Sequence, residues 1–320
     1  MVSSVRWQEI SQSISNFANT CYLWLAERIR KLVSSLFFTD FNGFNPAALL
    51  SRRQEIIDTH GAKPLQVDGT KIDAIYVPSS CPLRTGNVVV LCLNGPYQKA
   101  NPEKHWLPLL KNGADVVLWN PEQLVGTVKV AADLLHVLQT LKQKNPTQAI
   151  AVKGMCAAVD PSIKAVSELN DDQVHLIIDR GFGNSKKLIH SLSILGRLSI
   201  FQAVVGKYFD CQGIEKISKV KGKMLFMIPK MDQVLDVGKN NLTRELFEKA
   251  PLDRRKCVDL KEMDHFSPLN YDAYNKMLSF LAQLGVVRPN FEGVDQKLFP
   301  VADIGCVRRT IFPKVIPSCF

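Results

Sequence analysis

Hydrophobic and polar positions follow two different patterns along this chain, and the patterns change near residue 60. Over residues 1–38 apolar residues recur every three or four positions, which predicts an amphipathic helix, and residues 47–58 predict a second, shorter helix. From residue 61 onward, short uninterrupted apolar runs alternate with amphipathic stretches. Such runs are typical of strands buried on both faces of a parallel sheet. The predicted strands are 88–93, 115–120, 149–153, 174–179, 224–228 and 256–260.

The stretches between these runs predict the helices that cover the sheet. These helices are 104–111, 128–144, 160–169, 242–249 and 271–284. Two further β segments, 63–67 and 71–77, flank Asp68-Gly69, which is a hairpin signal. The regular alternation of strand and helix predicts an α/β fold with a doubly wound, mostly parallel sheet.

Three regions follow from these patterns. Residues 1–60 are expected to form a helical N-terminal extension, residues 61–285 the α/β domain, and residues 286–320 an irregular C-terminal tail. Within the domain, a basic and mostly helical segment at about 183–223 separates two predicted strands.

The N-terminal segment has no charged residue between Glu9 and Glu27. Ser, Gln, Asn and Thr occur throughout it, whereas a spanning helix needs about 20 mostly apolar residues, so we do not expect it to cross a membrane. It also lacks the features of a secretory signal. Two interpretations remain: the helix packs against the domain, or it makes a peripheral contact with a membrane. The second would place aromatic residues at the water boundary, namely Trp7, Tyr22, Trp24, Phe37 and Phe38.

Composition and charge narrow the function classes. The chain of 320 residues is 46% hydrophobic and 22% charged, which is ordinary for a soluble globular protein. Its eight cysteines form no CxxC pair and no Cys/His cluster, which argues against a zinc site or a disulfide framework and favours a cytoplasmic location. The sequence has no phosphate-binding glycine loop, so we predict no cofactor.

The net charge of +10 is unevenly distributed. Residues 184–230 carry nine Lys or Arg against two Asp or Glu. A patch of this kind suits anionic lipid, nucleic acid, an acidic substrate or simply solvent. Aromatic residues do not interleave with the lysines as a stacking surface requires, so we predict no nucleic-acid partner.

The candidate chemistry begins where the strand 149–153 runs into Gly154-Met155-Cys156-Ala157-Ala158. A strand followed by Gly-x-nucleophile-x-small is the sequence form of a nucleophile elbow, a tight turn that lifts the central side chain above the sheet. Here the central residue is Cys156. The alternative is that Cys156 is a buried structural thiol at a degenerate elbow.

Two further reactive residues follow at later strand ends, Asp232 and His265. Reactive groups collect at the carboxyl ends of parallel strands, so the order nucleophile, acid, histidine predicts a Cys-His-Asp triad. Cys156 would attack an acyl carbon, His265 would take and return its proton, and Asp232 would fix the imidazole tautomer. The backbone N–H of Ala157 would hold the oxyanion. A loop-capping role for Asp232 and a structural role for His265 are the alternatives.

The order of these segments resembles that of the α/β hydrolase superfamily over about residues 61–285, and more narrowly that of the chlamydial CHLPS-type family of α/β hydrolase-like proteins. The matching segments are Asn94-Gly95 at the oxyanion loop, Asn120-Pro121-Glu122 at the start of the Asn-x-x-Gly-x-Gly-x-Ser loop, 178–182 (Ile-Asp-Arg-Gly-Phe) at an Asp-Arg-Thr-Phe motif, 228–232 at the acid loop and 264–266 at the histidine loop. The resemblance implies that the segment at about 183–223 is a helical lid over the site.

The chain also departs from the superfamily pattern. Cys156 and Ala158 stand where Ser and the second Gly are usual. Asp160-Pro161 predicts an N-cap followed by a first helical residue, which would start the next helix several residues late and weaken its dipole at Cys156. Pro96, which has no N–H, stands at the oxyanion loop, and residues 123–127 lack the Gly-x-Gly-x-Ser pattern.

Two functions follow from this balance of matches and departures. The first is an ester or thioester hydrolase that acts on a small acyl-containing substrate. The alternative is a catalytically inactive homologue that serves as a binding protein or interacts with a membrane surface.

Overall fold

A computed structural model shows the α/β sheet that the apolar runs predict. The structure describes residues 4–37, 46–92, 105–121, 126–192, 198–230, 232, 234–237, 240–261, 263–265 and 269–291. The strands are β1 (Lys63–Pro64), β2 (Asp73–Val77), β3 (Val88–Cys92), β4 (Asp115–Asn120), β5 (Ile150–Met155), β6 (Val174–Asp179), β7 (Met224–Pro229), β8 (Asp236–Val237), β9 (Asn240–Asn241) and β10 (Arg255–Leu260).

The helices occupy the stretches between the strands and the N-terminal extension. They are α1 (Ser4–Phe37), α2 (Pro46–His60), α3 (Leu107–Lys111), α4 (Thr127–Lys144), α5 (Val159–Leu169), α6 (Ser185–Leu192), α7 (Ser199–Tyr208), α8 (Gly213–Lys216), α9 (Leu242–Lys249) and α10 (Tyr271–Gln283). The segment between β6 and β7 is therefore mostly helical where it is described, as predicted.

Eight of these strands form one sheet in the order β1-β2-β4-β3-β5-β6-β7-β10. The hairpin prediction is confirmed, because β1 pairs antiparallel with β2, with Lys63 opposite Tyr76. β2 also pairs antiparallel with β4, and the remaining neighbours from β4 to β10 are parallel. The predicted class, a mostly parallel doubly wound sheet, is confirmed. The carboxyl ends of β5, β6, β7 and β10 consequently lie side by side along one edge.

Alternate residues of the strands feed two hydrophobic layers, one on each face of the sheet. In β5, Ile150 and Val152 belong to the layer that α4, α5 and α7 cover. Ala151, between them, belongs to the layer that α2, α3 and α10 cover. Both faces of the central strands are therefore buried, which is why their sequences are uninterrupted apolar runs.

The extension helix α1 packs on the domain at its C-terminal end. Ile29 and Val33 are buried in the same layer as α7, and α1 contacts that helix directly. Packing against the domain, one of the two interpretations for this segment, therefore holds for this end of the helix. Among the described helices, none combines the length and apolarity that crossing a membrane requires.

Candidate active site

Cys156 lies on a tight turn at the carboxyl end of β5. Its φ is 52°, in the left-handed region that residues with a side chain adopt only at a cost. A Cβ at Gly154 would lie 2.9 Å from Ser162 Oγ and 3.1 Å from the Cα of Val159, so the turn has no room for a larger residue there. Ala158 is also buried, which limits the size of that side chain. The backbone therefore makes the narrow turn that the sequence predicts.

The helix after this turn starts early, and the predicted delay at Pro161 is wrong. Residues Cys156–Ala158 form a 3₁₀ turn that continues directly into α5 at Val159. Pro161 is accommodated because the first turn of a helix needs no N–H donor at that position. The positive end of the helix dipole therefore lies beside Cys156. Ala157 is the second residue of the 3₁₀ turn, where an N–H has no acceptor within the helix.

Asp160 is not the N-cap that the sequence suggests, since it lies inside the first turn of α5 and is fully buried. Its carboxylate accepts hydrogen bonds from the backbone N–H groups of Cys211 and Gly213, both at 2.9 Å, and from Ser185 Oγ at 3.3 Å. Burial raises the pKa of Asp160 to about 7, and these hydrogen bonds act in the opposite direction. The elbow helix is thereby tied to both ends of the segment between β6 and β7.

His265 lies between the other two predicted site residues. Its Nδ1 is 3.0 Å from Asp232 Oδ2, and its Nε2 is 2.9 Å from Cys156 Sγ. The three residues come from the ends of β5, β7 and β10, so the adjacent carboxyl ends of these strands bring together side chains up to 109 positions apart. His265 and Asp232 are buried, and Cys156 is half-buried.

Asp232 makes contacts on two sides, one with the loop that follows it and one with His265. Its Oδ1 accepts hydrogen bonds from the backbone N–H groups of Val234 at 2.9 Å and Leu235 at 2.8 Å. These bonds close the loop that follows β7, and they leave Oδ2 directed at His265. A carboxylate that is fixed on one side by backbone donors holds the imidazole in one orientation on the other.

The environment of His265 favours its protonated form. Burial lowers its pKa, but the charge of Cys156 and the hydrogen bonds that the imidazole makes to Asp232 and to Cys156 outweigh that effect and raise the pKa to about 10. The cationic imidazole lies 2.9 Å from Sγ, where it stabilises negative charge that develops on the sulfur.

A buried ionic cluster beside the elbow was not predicted from the sequence. Lys153 of β5 and Asp179 of β6 are both fully buried, and Lys153 Nζ is 3.5 Å from Asp179 Oδ2. Arg180 Nε donates to Asp179 Oδ1 at 2.8 Å. Burial lowers the pKa of Lys153, and the charge of Asp179 only partly offsets this effect. Burial would raise the pKa of Asp179, but the charges of Arg180 and Lys153 outweigh burial, and the pKa of Asp179 lies below its usual value. The lysine inside the apolar run 149–153 was the sequence signal for this cluster.

Arg180 connects this cluster to the histidine loop. Its Nη1 donates to the backbone oxygen of Asp264, the residue before His265, at 3.2 Å. Arg180 has a φ of 49°, so the end of β6, like the end of β5, makes a left-handed turn. A Cβ at the next residue, Gly181, would lie 2.0 Å from the Val159 side chain, so only glycine lets this turn pass the elbow helix.

Several predicted site segments lie outside the described residues. They are the oxyanion loop with Asn94, Gly95 and Pro96, and the residues Glu122, Gln123 and Phe266. At the edge of one of these segments, Gly126 has a φ of 151°, and a Cβ there would lie 2.1 Å from the Tyr208 backbone oxygen. Residues 123–127 therefore depart from the Gly-x-Gly-x-Ser pattern but keep a glycine at position 126, where the end of α7 leaves no space for a side chain.

Within the described ranges, no three His, Cys, Asp or Glu side chains lie close enough together to hold a metal ion. Six cysteines fall in those ranges, and all are free thiols: Cys21, Cys81, Cys92, Cys156, Cys211 and Cys257. The absence of a cofactor stays a prediction.

Comparison with known proteins identifies the fold. No protein-family model matches the sequence, and no curated protein sequence matches it. Among solved structures, the chain is similar to Est1E from Butyrivibrio proteoclasticus, with 12% identity, a TM-score of 0.55, and coverage of 70% of this chain and 98% of that one. It is also similar to the esterase Est2 from Thermogutta terrifontis, with 14% identity, a TM-score of 0.52, and coverage of 72% and 94%. A carboxyl esterase from Bacillus coagulans is similar with 12% identity, a TM-score of 0.51, and coverage of 70% of this chain and 98% of that one.

These similarities establish the fold class of the chain. The chain has the α/β hydrolase fold, as the order of its motifs predicted. At such low identities the likeness concerns the fold alone.

Proposed function

We propose that this chain is an acyl hydrolase that cleaves a small ester or thioester through an acyl intermediate on Cys156. One observation carries the proposal: His265 lies within hydrogen-bond distance of both Asp232 and Cys156, at 3.0 and 2.9 Å. This is the geometry in which a base activates a nucleophile while a third group orients the base.

The first half-reaction forms the acyl intermediate. Cys156 Sγ attacks the carbonyl carbon, and the carbonyl π electrons move to the oxygen, where the Ala157 N–H donates to the oxyanion. The tetrahedral intermediate collapses as the bond to the leaving group breaks. The protonated His265 gives its proton to the departing alcohol or thiol, and a thioester with Cys156 remains.

The second half-reaction uses the same residues. His265, now neutral, takes a proton from water, and the resulting hydroxide attacks the thioester carbon. The tetrahedral intermediate collapses with release of the carboxylic acid, and Cys156 and His265 return to their starting protonation states. Asp232 stabilises the imidazolium in both halves without itself becoming protonated.

Two features of the elbow support this role for Cys156. The helix dipole of the 3₁₀ turn and α5 favours negative charge at its N-terminal end, where Sγ lies. The raised pKa of His265 keeps a positive charge 2.9 Å from Sγ. Both stabilise negative charge on Sγ.

The segment at about 183–223 is proposed to cover the site, as the superfamily resemblance implies. Support comes from Asp160, which lies four residues after the nucleophile and accepts hydrogen bonds from Ser185, Cys211 and Gly213. These three residues stand near the start and the end of the helical part of the segment. Its two ends are therefore anchored next to the elbow.

The alternative, an inactive homologue with a binding role, rests on the departures from the superfamily pattern. One of these, the delayed helix, does not occur. The replacement of the second glycine by Ala158 remains, and Pro96 lies outside the described residues. The narrower resemblance to the chlamydial CHLPS-type family likewise stays a prediction.

The test uses p-nitrophenyl acetate and a small acetyl thioester, with intact-protein and peptide mass spectrometry. We expect turnover and an added acetyl group on Cys156, and we expect Cys156→Ala to lower kcat by about a thousandfold or more. His265→Gln and Asp232→Asn test the other two roles, and Cys257→Ala, an exposed thiol away from the site, is the matched control. Turnover that survives in Cys156→Ala, or a wild type that neither turns over nor becomes acetylated, would reject the proposal.

A further inference from the structure

The middle of α1 carries large apolar side chains that the described part of the chain leaves exposed. Phe17 is 72% exposed, Trp24 is 60% and Leu23 is 59%. Further along the helix, Ile29 is buried against the domain. The helix is thus anchored toward its C-terminal end and presents an apolar surface in the part that precedes the anchor. An exposed apolar patch of this size marks an interaction surface.

Apolar side chains surround the helix within this exposed part. Tyr22, Leu23, Trp24 and Leu25 are consecutive, and successive residues of an α-helix are rotated by about 100°, so the four cover all sides of one turn. A protein groove that receives a helix contacts one apolar stripe of it. A lipid surface accommodates apolar side chains over a broader arc of a helix, because the helix sinks about 5–10 Å into the boundary between head groups and acyl chains. The distribution of these side chains favours lipid.

The charges around this surface favour anionic lipid. No charged residue occurs between Glu9 and Glu27, and cations follow directly after that stretch. Arg28 is exposed, with its guanidinium carbon 5.2 Å from the centre of the Trp24 ring. The Lys31 side chain is 71% exposed and lies 3.8 Å from Glu27, which also pairs with Arg30, so Arg28 and Lys31 extend past that carboxylate toward solvent. An aromatic ring with a long cationic side chain beside it is the combination that anchors helices at the boundary between lipid and water.

The basic segment continues this positive surface on the neighbouring helix. Arg30 of α1 lies 6.0 Å from the ring centre of Tyr208 on α7, and Lys207 lies 5.1 Å from the same ring. Residues 184–230 as a whole carry nine Lys or Arg against two Asp or Glu, and three of these lysines, Lys186, Lys187 and Lys216, pair with carboxylates of the domain. Each such charge near an anionic bilayer contributes about 1 kcal/mol of attraction.

We infer that α1 is an interfacial helix that inserts the apolar side chains of residues 17–25 into the surface of an anionic bilayer. Arg28 and Lys31 then lie at the level of the lipid phosphates, and the domain is held at the membrane by the packing of Ile29 and Val33. This inference does not depend on the chemistry of Cys156.

Vesicle flotation of the full chain tests the inference. The vesicles are phosphatidylcholine alone, or phosphatidylcholine with roughly a third phosphatidylserine. We expect the wild type to float with the anionic vesicles, less so at high salt because the attraction of cations to the surface is screened. Phe17→Glu and Trp24→Glu should each lower the partition coefficient between vesicles and water by about tenfold or more, since each removes an aromatic side chain that would be buried in the bilayer. Leu252→Glu, at a residue that is 80% exposed on the domain, is the matched control and should float like the wild type.

Three outcomes would overturn the inference. A wild type that does not float excludes the bilayer, and equal flotation of the wild type and the Phe17→Glu/Trp24→Glu variant excludes α1 as the anchor. In the third outcome the wild type does not float and is a dimer by light scattering, whereas the double variant is a monomer. A second copy of the chain would then be the occupant of the apolar surface.

Discussion

Arg180 donates a hydrogen bond from Nη1 to the backbone oxygen of Asp264, at 3.2 Å, and so joins the end of β6 to the residue before the site histidine. Its Nε is at the same time bound to Asp179, at 2.8 Å. Asp179 therefore holds the guanidinium in place, and the guanidinium in turn holds the loop that carries His265. A small displacement of that loop would lengthen the 2.9 Å separation between His265 and Cys156.

Arg180→Lys should reduce kcat/KM through a lower kcat, with KM little changed, because it keeps a positive charge beside Asp179 but removes the Nη1 donor to the Asp264 backbone oxygen and so loosens His265. Hydrogen bonds to charged groups contribute about 1.5–3 kcal/mol, which corresponds to a loss of roughly ten- to a hundredfold. Steady-state kinetics and the NMR titration of His265 measure the effect. Arg254→Lys is the matched control, since Arg254 also donates to a backbone oxygen, that of Val220, at 2.9 Å. Equal losses in both variants would show a general effect on folding.

The titration of His265 should be shifted strongly upward and should depend on Cys156. The folded-state pKa is raised from 6.5 to about 10, so the protonated histidine stabilises the fold fully below about pH 6.5, and this contribution is lost as the pH rises through about 10. In Cys156→Ala the charge that raises the pKa is gone while burial still lowers it, so the titration should move down toward neutral pH. NMR of the imidazole Cε1–H checks both. A midpoint that is the same in the two proteins would contradict the pairing.

Alkylation at neutral pH should select the half-buried Cys156 over the exposed Cys257. Burial and the neighbouring Asp259 raise the pKa of Cys257 to about 11, so that thiol is almost entirely protonated at pH 7. Cys156 has the cationic His265 beside it, and we expect iodoacetamide to react with it at least about tenfold faster. Peptide mass spectrometry after timed quenching gives both rates in one sample. His265→Gln should remove the difference.

Gly154→Ala should destabilise the protein by about 1–3 kcal/mol, because the added methyl group has no space at the elbow. It would lie 2.9 Å from Ser162 Oγ and 3.1 Å from the Cα of Val159, which belongs to the backbone of α5. Gly206→Ala is the control: the nearest atoms there belong to the flexible end of the Lys186 side chain, which can move away. Urea unfolding of the two variants measures the difference. Similar stabilities would mean that the elbow is looser than its contacts indicate.

Much of the site follows from the sequence because its residues are fixed by local patterns. Each apolar run that ends in a turn predicts a strand end, and the parallel sheet places those ends together, so the proximity of Cys156, Asp232 and His265 is predictable. The tight turn is equally local, since Gly154 and Ala158 are small for steric reasons that the motif already expresses.

The features that the sequence does not predict depend on contacts between distant segments. Pro161 looks like the first residue of a helix, but the 3₁₀ turn at Cys156–Ala158 continues directly into a helix that already begins at Val159. Asp160 looks like a helix cap because Pro161 follows it. Its actual hydrogen-bond partners lie 25 to 53 positions away in the sequence, and no local pattern identifies them. The bond from Arg180 to Asp264 spans 84 positions and has no local pattern at either end.

The buried cluster of Lys153, Asp179 and Arg180 has a consequence for how such a sequence can change over evolutionary time. Removing one member of a buried ionic group leaves an uncompensated charge and costs about 3–5 kcal/mol, whereas replacing the whole group with apolar residues can be nearly neutral. Single substitutions at these positions are therefore dead ends, and only joint changes are viable. In an alignment of descendants of the same ancestor, the three positions should covary, with all three charges kept or all three lost.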